Sequence, residues 1–288
     1  MTAPAIGHVP GLVLVAVLFA ALMHASWNAL VKSRGDTFLA TVLVVAGGGL
    51  LGAFALPFLA APAPASWPFI AASSTAQMVY YALLVETYRN GDMSHAYPLM
   101  RGSAPLLVAL VNAPLTGERL DSAQWFAVVL ICGGILALYG SVRSGAAEAR
   151  RTTAFALLTA CVIACYTMID GAGVRRSGAP MAYTIWIFML SGAGILAWAL
   201  AARGRDLLAF ARTNPHLVPL GGVSTLGSYA IALWAMTLAP VAAIAALRET
   251  SILFATAIAG FVLRERVSPA RMAAVALVAC GAVAMRLS

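Results

Sequence analysis

The chain has 288 residues, a mean hydropathy of +0.91, and 10% charged residues, against about 25% in an ordinary soluble domain. That deficit excludes a soluble enzyme, a nucleic-acid binder and a disordered chain. The net charge of +8 does not restore nucleic acid as a partner, because the Arg residues and the single Lys, Lys32, are spread thinly along the chain and form no patch.

A helix crosses a bilayer core of about 30 Å in roughly 20 residues. Ten such segments follow one another, over about 10–32, 37–60, 66–88, 93–116, 122–142, 152–174, 180–202, 217–238, 241–263 and 268–286. No Lys or Arg precedes the first apolar run, so it reads as a retained span and not a secretory leader. Ala61-Pro62-Ala63-Pro64 separates spans two and three, Gly91-Asp92 spans three and four, and Ala239-Pro240 spans eight and nine. No stretch alternates with period two, so the expected fold is all-α polytopic and not a barrel. Trp67 and Trp125 stand at span starts as interfacial anchors. Trp186 and Trp198 read as lipid or packing contacts. Cys132, Cys161, Cys165 and Cys280 all lie in apolar runs and read as small buried side chains. Cys161 and Cys165 lack a third ligand at metal spacing, and no cofactor is expected.

The chain repeats itself. Residues 94–139 fall without a gap on 241–286, with 11 of 46 positions identical, among them Arg101 with Arg248, Glu118-Arg119 with Glu265-Arg266, and Gly134 with Gly281. Ser74-Thr75 likewise matches Ser224-Thr225, the longer joint at Asn90-Gly91-Asp92 absorbing the change of shift, and Gly47-Gly48-Gly49 matches Gly192-Ala193-Gly194. Two five-helix halves follow, 1–147 and 148–288. Five is odd, so the second half enters the membrane from the opposite side. Such an inverted repeat is built for alternating access, with the solute near the midplane between the halves. Gly47-Gly48-Gly49, Gly52, Gly192, Gly194, Gly133-Gly134 and Gly221-Gly222 are the expected sites of close helix packing.

Trp27-Asn28 with Lys32 late in the first span, Pro105 ahead of Gly117-Glu118-Arg119, and Gly133-Gly134 closing span five, with Arg264-Glu265-Arg266 and Cys280-Gly281 at the matching places of the second half, resemble the ten-helix EamA-domain members of the drug/metabolite transporter superfamily. The likeness is greatest to YddG-type amino acid exporters. One departure is Ile252, which stands in the place of Pro105 and leaves a helix bend there without its proline. The resemblance implies a secondary exporter of amino acids or related metabolites in a bacterial inner membrane.

Polar residues inside spans mark the site, because their burial in lipid is costly. Span one carries His24, Asn28 and Lys32 on one face, with Trp27 beside them. Span three carries Ser73, Gln77, Tyr80, Tyr81, Thr87 and Tyr88, and span four Tyr97 and Arg101. Span six carries Thr159, Tyr166 and Asp170, span eight Ser224, Ser228, Tyr229 and Trp234, and span nine Arg248. Their economical explanation is one central cavity shared by spans one, three, four, six, eight and nine. The expected substrate-binding residues are His24, Trp27, Asn28, Gln77, Tyr80, Tyr81, Tyr97, Arg101, Tyr166, Asp170, Tyr229, Trp234 and Arg248. Lys32 is expected to snorkel to the interface. Asp170 is the expected partner of Arg101 or Arg248, since Glu249 points about 100° away from Arg248 on a helix. One Arg is expected to attract a substrate carboxylate while its twin helps close the far side. Glu118-Arg119 and Glu265-Arg266 are expected to set turns.

The partners implied are a small-molecule substrate and the lipid bilayer, with the chain a monomer or weak oligomer. Export of large neutral or aromatic amino acids leads. A proton-coupled multidrug efflux pump is the alternative, though its superfamily relatives carry an acid in the first span and this chain has none there. An enzyme is not expected, for the sequence holds no His-Glu-x-x-His, Gly-x-Ser-x-Gly or phosphate loop. Twelve of the sixteen Lys and Arg in the joints and tail follow odd spans. The positive-inside rule then puts both termini on the periplasmic side. The family resemblance implies both inside; the charge count is followed here.

Overall fold

The computed structural model describes residues 9–89, 93–139, 146–262, 264 and 267–287. The joint Asn90-Gly91-Asp92, Arg143, Glu265 and Arg266 lie outside the described residues, as do the side chains of Tyr88 and Arg89. Among the described residues there is no strand. The helices are α1 (Gly11–Lys32), α2 (Thr37–Ala55), α3 (Trp67–Arg89), α4 (Met93–Thr116), α5 (Ser122–Tyr139), α6 (Ala146–Ser177), α7 (Pro180–Thr213), α8 (Gly222–Met236), α9 (Val241–Arg248), α10 (Ser251–Ala257) and α11 (Pro269–Leu287). Nine helical stretches among the described residues are long and apolar enough to cross a membrane, and α5 is a shorter apolar helix. Their outer faces carry exposed Phe19, Phe54, Leu110 and Phe126. A surface so uniformly apolar is stable only under lipid, and the chain is a multi-pass integral membrane protein.

Local chemistry sets the helix ends. The Asp36 carboxylate accepts from the Leu39 amide at 3.0 Å and caps α2. Before α5, Asp121 Oδ1 accepts from the Gln124 amide at 2.8 Å and Gln124 Oε1 accepts from the Asp121 amide at 3.2 Å, a reciprocal cap. Gly117 stops α4 at φ +77°, a conformation that side-chain-bearing residues avoid.

The break in this pair of repeat helices does not follow the prolines. Helix α4 runs unbroken through Pro98, Pro105 and Pro114. Its repeat partner, which has Ile252 for Pro105, breaks at Glu249–Thr250 between α9 and α10. There the amides of Glu249, Thr250, Ile252 and Leu253 bond carbonyls three residues back, and the Thr250 hydroxyl takes the Leu247 carbonyl at 2.7 Å. Tight i−3 bonding and a hydroxyl competing for the backbone make the break without proline.

Helix pairs exchange under the repeat. Helix α1 packs on α8 as α6 packs on α3, and α1 meets α9 and α10 as α6 meets α4, while α2 with α7 and α5 with α11 pair across the centre. The chain is thus an interleaved pair of five-span halves, the α9–α10 stretch forming one span. Glycine permits the α2–α7–α8 contact. A Cβ on Gly49 would stand 2.7 Å from the Phe188 carbonyl oxygen, and one on Gly222 2.8 Å from the Gly47 backbone. Gly134 and Gly281 serve the α5–α11 contact in the same way, whereas Gly133 meets nothing within 4 Å and takes no part.

Candidate solute-binding cavity

A cavity of about 340 Å³ lies between the halves. It runs from the middle of α6 and α8 out to Lys32, Thr37 and Phe38 at the α1–α2 joint and Val85 near the end of α3. It therefore opens toward the joints that follow odd spans. Its size sits near the lower end of the roughly 300–1,000 Å³ typical of small-molecule sites.

Each wall follows from a helix face. On α1 the Asn28 amide donates to the His24 carbonyl at 2.7 Å, and the His24 and Trp27 rings meet edge to face at 5.2 Å. The buried Trp27 Nε1 has no hydrogen-bond partner among the described residues. Helix α3 adds Gln77, whose Nε2 donates to the Ser73 hydroxyl at 3.3 Å, and the pair Tyr80 and Tyr81. The Tyr80 ring stands edge-on to Tyr166 of α6 at 5.9 Å.

Two guanidinium groups give the cavity its charge. Arg101 Nε lies 2.9 Å from Glu249 Oε2, joining α4 of the first half to the α9–α10 break of the second. Arg101 Nη2 is buried with no hydrogen-bond partner among the described residues. Arg248 has no ion-pair partner among the described residues and stands over the Tyr229 ring at 4.9 Å, a cation–π contact. The lining therefore combines aromatic faces with cationic N–H groups and carries excess positive charge.

Of the expected site residues, all but Asp170 and Trp234 line this cavity. Asp170 is fully buried behind its wall, where it accepts from the hydroxyls of Tyr229 at 2.5 Å and Tyr183 at 3.2 Å. Neither Arg is its ion-pair partner, which corrects the expectation: Arg101 pairs instead with Glu249, at the α9–α10 break. Trp234 is half-buried against the core; five residues past Tyr229, it points about 140° away. The expected division of roles between the two Arg residues also differs, since Arg101 and Arg248 line the same cavity. Lys32 belongs to the cavity mouth.

Helices α2 and α7 contribute walls that sequence patterning missed, through Phe38, Thr41, Phe188 and Ile195. Trp198 packs on Phe38 at 5.2 Å and Trp186 on Trp67 at 5.0 Å. Cys161, Cys165 and Cys280 lie on exposed outer faces and only Cys132 is buried, so three of the four face outward and not into the core. No cluster of three or more metal-binding side chains occurs among the described residues.

The opposite end is shut. Arg175 at the end of α6 forms an ion pair with Glu118 in the α4–α5 joint, and donates to the carbonyls of Met236 at 2.7 Å and Ala239 at 3.0 Å. Glu118 Oε2 also accepts from Asn112 Nδ2 at 2.7 Å and from the Val241 amide at 3.2 Å. Glu118 therefore does more than set a turn: it ties the first half to two elements of the second. Arg175 had no sequence signal beyond its place in a joint.

Residues 10–140 and 151–287 each match the sequence model of the EamA-like transporter family, a double match that fits the internal repeat. A solved structure described only as the crystal structure of a protein superposes with a TM-score of 0.74, covering 96% of this chain and 96% of that one. Its 18% sequence identity makes this a statement about fold alone. No curated protein sequence matches the chain. The chain belongs to the EamA-like transporter family.

Proposed function

We propose that this member of the EamA-like transporter family is a secondary exporter of small amphipathic metabolites, of the YddG-type class that carries aromatic and other large neutral amino acids. The observation that carries this reading is the pairing of aromatic walls with unpartnered N–H groups, Trp27 Nε1 and Arg101 Nη2, at one cavity. A carboxylate is the acceptor that suits a guanidinium edge. Flat or apolar side groups suit Tyr80, Tyr166, Phe188 and Tyr229. His24, Asn28, Gln77, Tyr81, Tyr97 and Arg248 add to the lining, with Asp170 as support behind it and Trp234 outside it.

The halves, 1–147 and 148–288, act as inverted repeats that rock about the cavity. The Glu118–Arg175 contact keeps one end closed while the other is open. By the positive-inside count the open end faces the cytoplasm of a bacterial cell and both termini lie outside, the orientation in which an exporter loads. The conformation is consistent with that order of events.

The test is flux of labelled solutes from liposomes containing the purified protein. Phenylalanine and leucine are expected to move faster than glutamate or sugars. Equal flux of phenylalanine and glutamate would remove the selectivity argument, and flux of lipophilic amines alone would favour a multidrug pump.

A further inference from the structure

Among the described residues two carboxylates are buried, with different company. Glu249 is neutralised by Arg101 at 2.9 Å. Asp170 has no ion-pair partner among the described residues, and hydroxyl groups supply its hydrogen bonds: Tyr229 on α8 at 2.5 Å and Tyr183 on α7 at 3.2 Å. The other ionisable groups about it are Tyr166 on its own helix and Arg248 on α9. Arg248 stands on the Tyr229 ring and forms no ion pair with the acid, and the α4 cation, Arg101, is paired with Glu249. A negative charge enclosed at this depth without a direct ion pair is costly for a membrane protein to hold. Taking up one proton removes the charge without moving the backbone.

Asp170 is also asymmetric. Along the alignment of Trp27 with Tyr166, its counterpart in the first half is Val31. The acid is therefore no part of the packing that the repeat shares. Its strongest donor, Tyr229, belongs both to its cluster and to the cavity wall, where the ring carries Arg248 on its face and packs against Phe188 at 5.9 Å.

We propose that Asp170 is a proton-binding site linked to the solute cavity through Tyr229. The Tyr229 hydroxyl passes its proton to Asp170 Oδ2 and takes one from a hydronium ion on the cavity side, which leaves as water, so the net change is one proton gained and one negative charge lost. Oδ2 then carries a hydrogen of its own and is a much weaker acceptor for Tyr229. That hydroxyl must turn to accept or leave. The ring that supports Arg248 moves with it, and the charge pattern of the cavity wall changes. Protonation at a place no solute touches thus alters the surface a solute meets. The inference holds for any solute the cavity takes.

The test is infrared difference spectroscopy of the full-length protein in liposomes during a pH titration, with no solute added, so that its failure would leave the transport reading untouched. On acidification the wild type is expected to gain a carboxylic-acid C=O band, sensitive to deuterium, that is lost in Asp170→Asn and kept in Glu249→Gln. Identical spectra for wild type and Asp170→Asn would overturn the proposal. Should Asp170→Asn not fold, Tyr229→Phe decides: loss of one hydrogen bond to the acid is expected to shift the band, and an unmoved band overturns the link to the cavity.

Discussion

Replacing Glu118 with alanine should open the closed end. The Glu118 side chain receives two groups from the other half, the Arg175 guanidinium and the Val241 amide. Hydrogen bonds to a charged group contribute about 1.5–3 kcal/mol each. The pair is partly open to solvent, with side chains 26% and 17% exposed, so screening takes a share. The loss across the halves is then about 2–4 kcal/mol. At about 1.4 kcal/mol per factor of ten, the balance between closed and open moves by roughly 30- to 700-fold. The reporter is Ala242→Cys in a background stripped of the four native cysteines. Ala242 is buried at the start of α9, beside Val241. A membrane-impermeant maleimide added at the closed end should label it faster in Glu118→Ala by a factor of that order. Glu118→Gln, which keeps an acceptor for the Val241 amide, should fall between. Equal labelling rates in Glu118→Ala and its parent would refute the assignment of this contact as the bond that holds the end shut.

Arg101→Ala should abolish flux of carboxylate-bearing solutes and also lower thermal stability, since a buried Glu249 without its cation is destabilising by about 3–5 kcal/mol. Adding Glu249→Gln should recover the melting temperature but not the flux; wild-type flux in either variant would reduce the pair to scaffolding. Gly49→Val should cut the yield of monodisperse protein, because its Cβ alone would sit 2.7 Å from the Phe188 carbonyl oxygen, while Gly133→Val, with nothing within 4 Å, should be neutral. A C-terminal reporter that fluoresces only in the cytoplasm should stay dark, and a bright signal would place the termini inside against the charge count.

The span count and the duplication were readable because both are one-dimensional signals. An apolar run needs only length, and a repeat needs only comparison of the chain with itself. Most of the cavity lining was readable for a related reason: a polar or aromatic stripe such as Gln77, Tyr80 and Tyr81 has no business facing lipid. Phe38 and Phe188 were invisible because an apolar side chain in a cavity wall looks the same in sequence as one facing acyl chains. The Arg101–Glu249 pair was missed for a geometric reason. Its formation depends on a helix break that no proline or glycine announces, and helical angles drawn through an unbroken helix point Glu249 the wrong way. Glu118 with Arg175 joins residues far apart in sequence from two different joints, and single-chain periodicity carries no information about such a meeting.

The bond at the closed end has a thermodynamic consequence. A transporter with two identical inverted halves would have two degenerate conformations, each the image of the other with the halves exchanged. This chain is not degenerate. Along the repeat, Glu118 falls on Glu265, and along the alignment of Trp27 with Tyr166, Arg175 falls on Asp36. Asp36 is already taken, capping α2 and paired with Arg203 at 2.6 Å. The repeat thus carries no second acid–base pair at the positions matching Glu118 and Arg175. On the proposed alternating-access cycle, the Glu118–Arg175 contact therefore biases the chain toward the arrangement seen here.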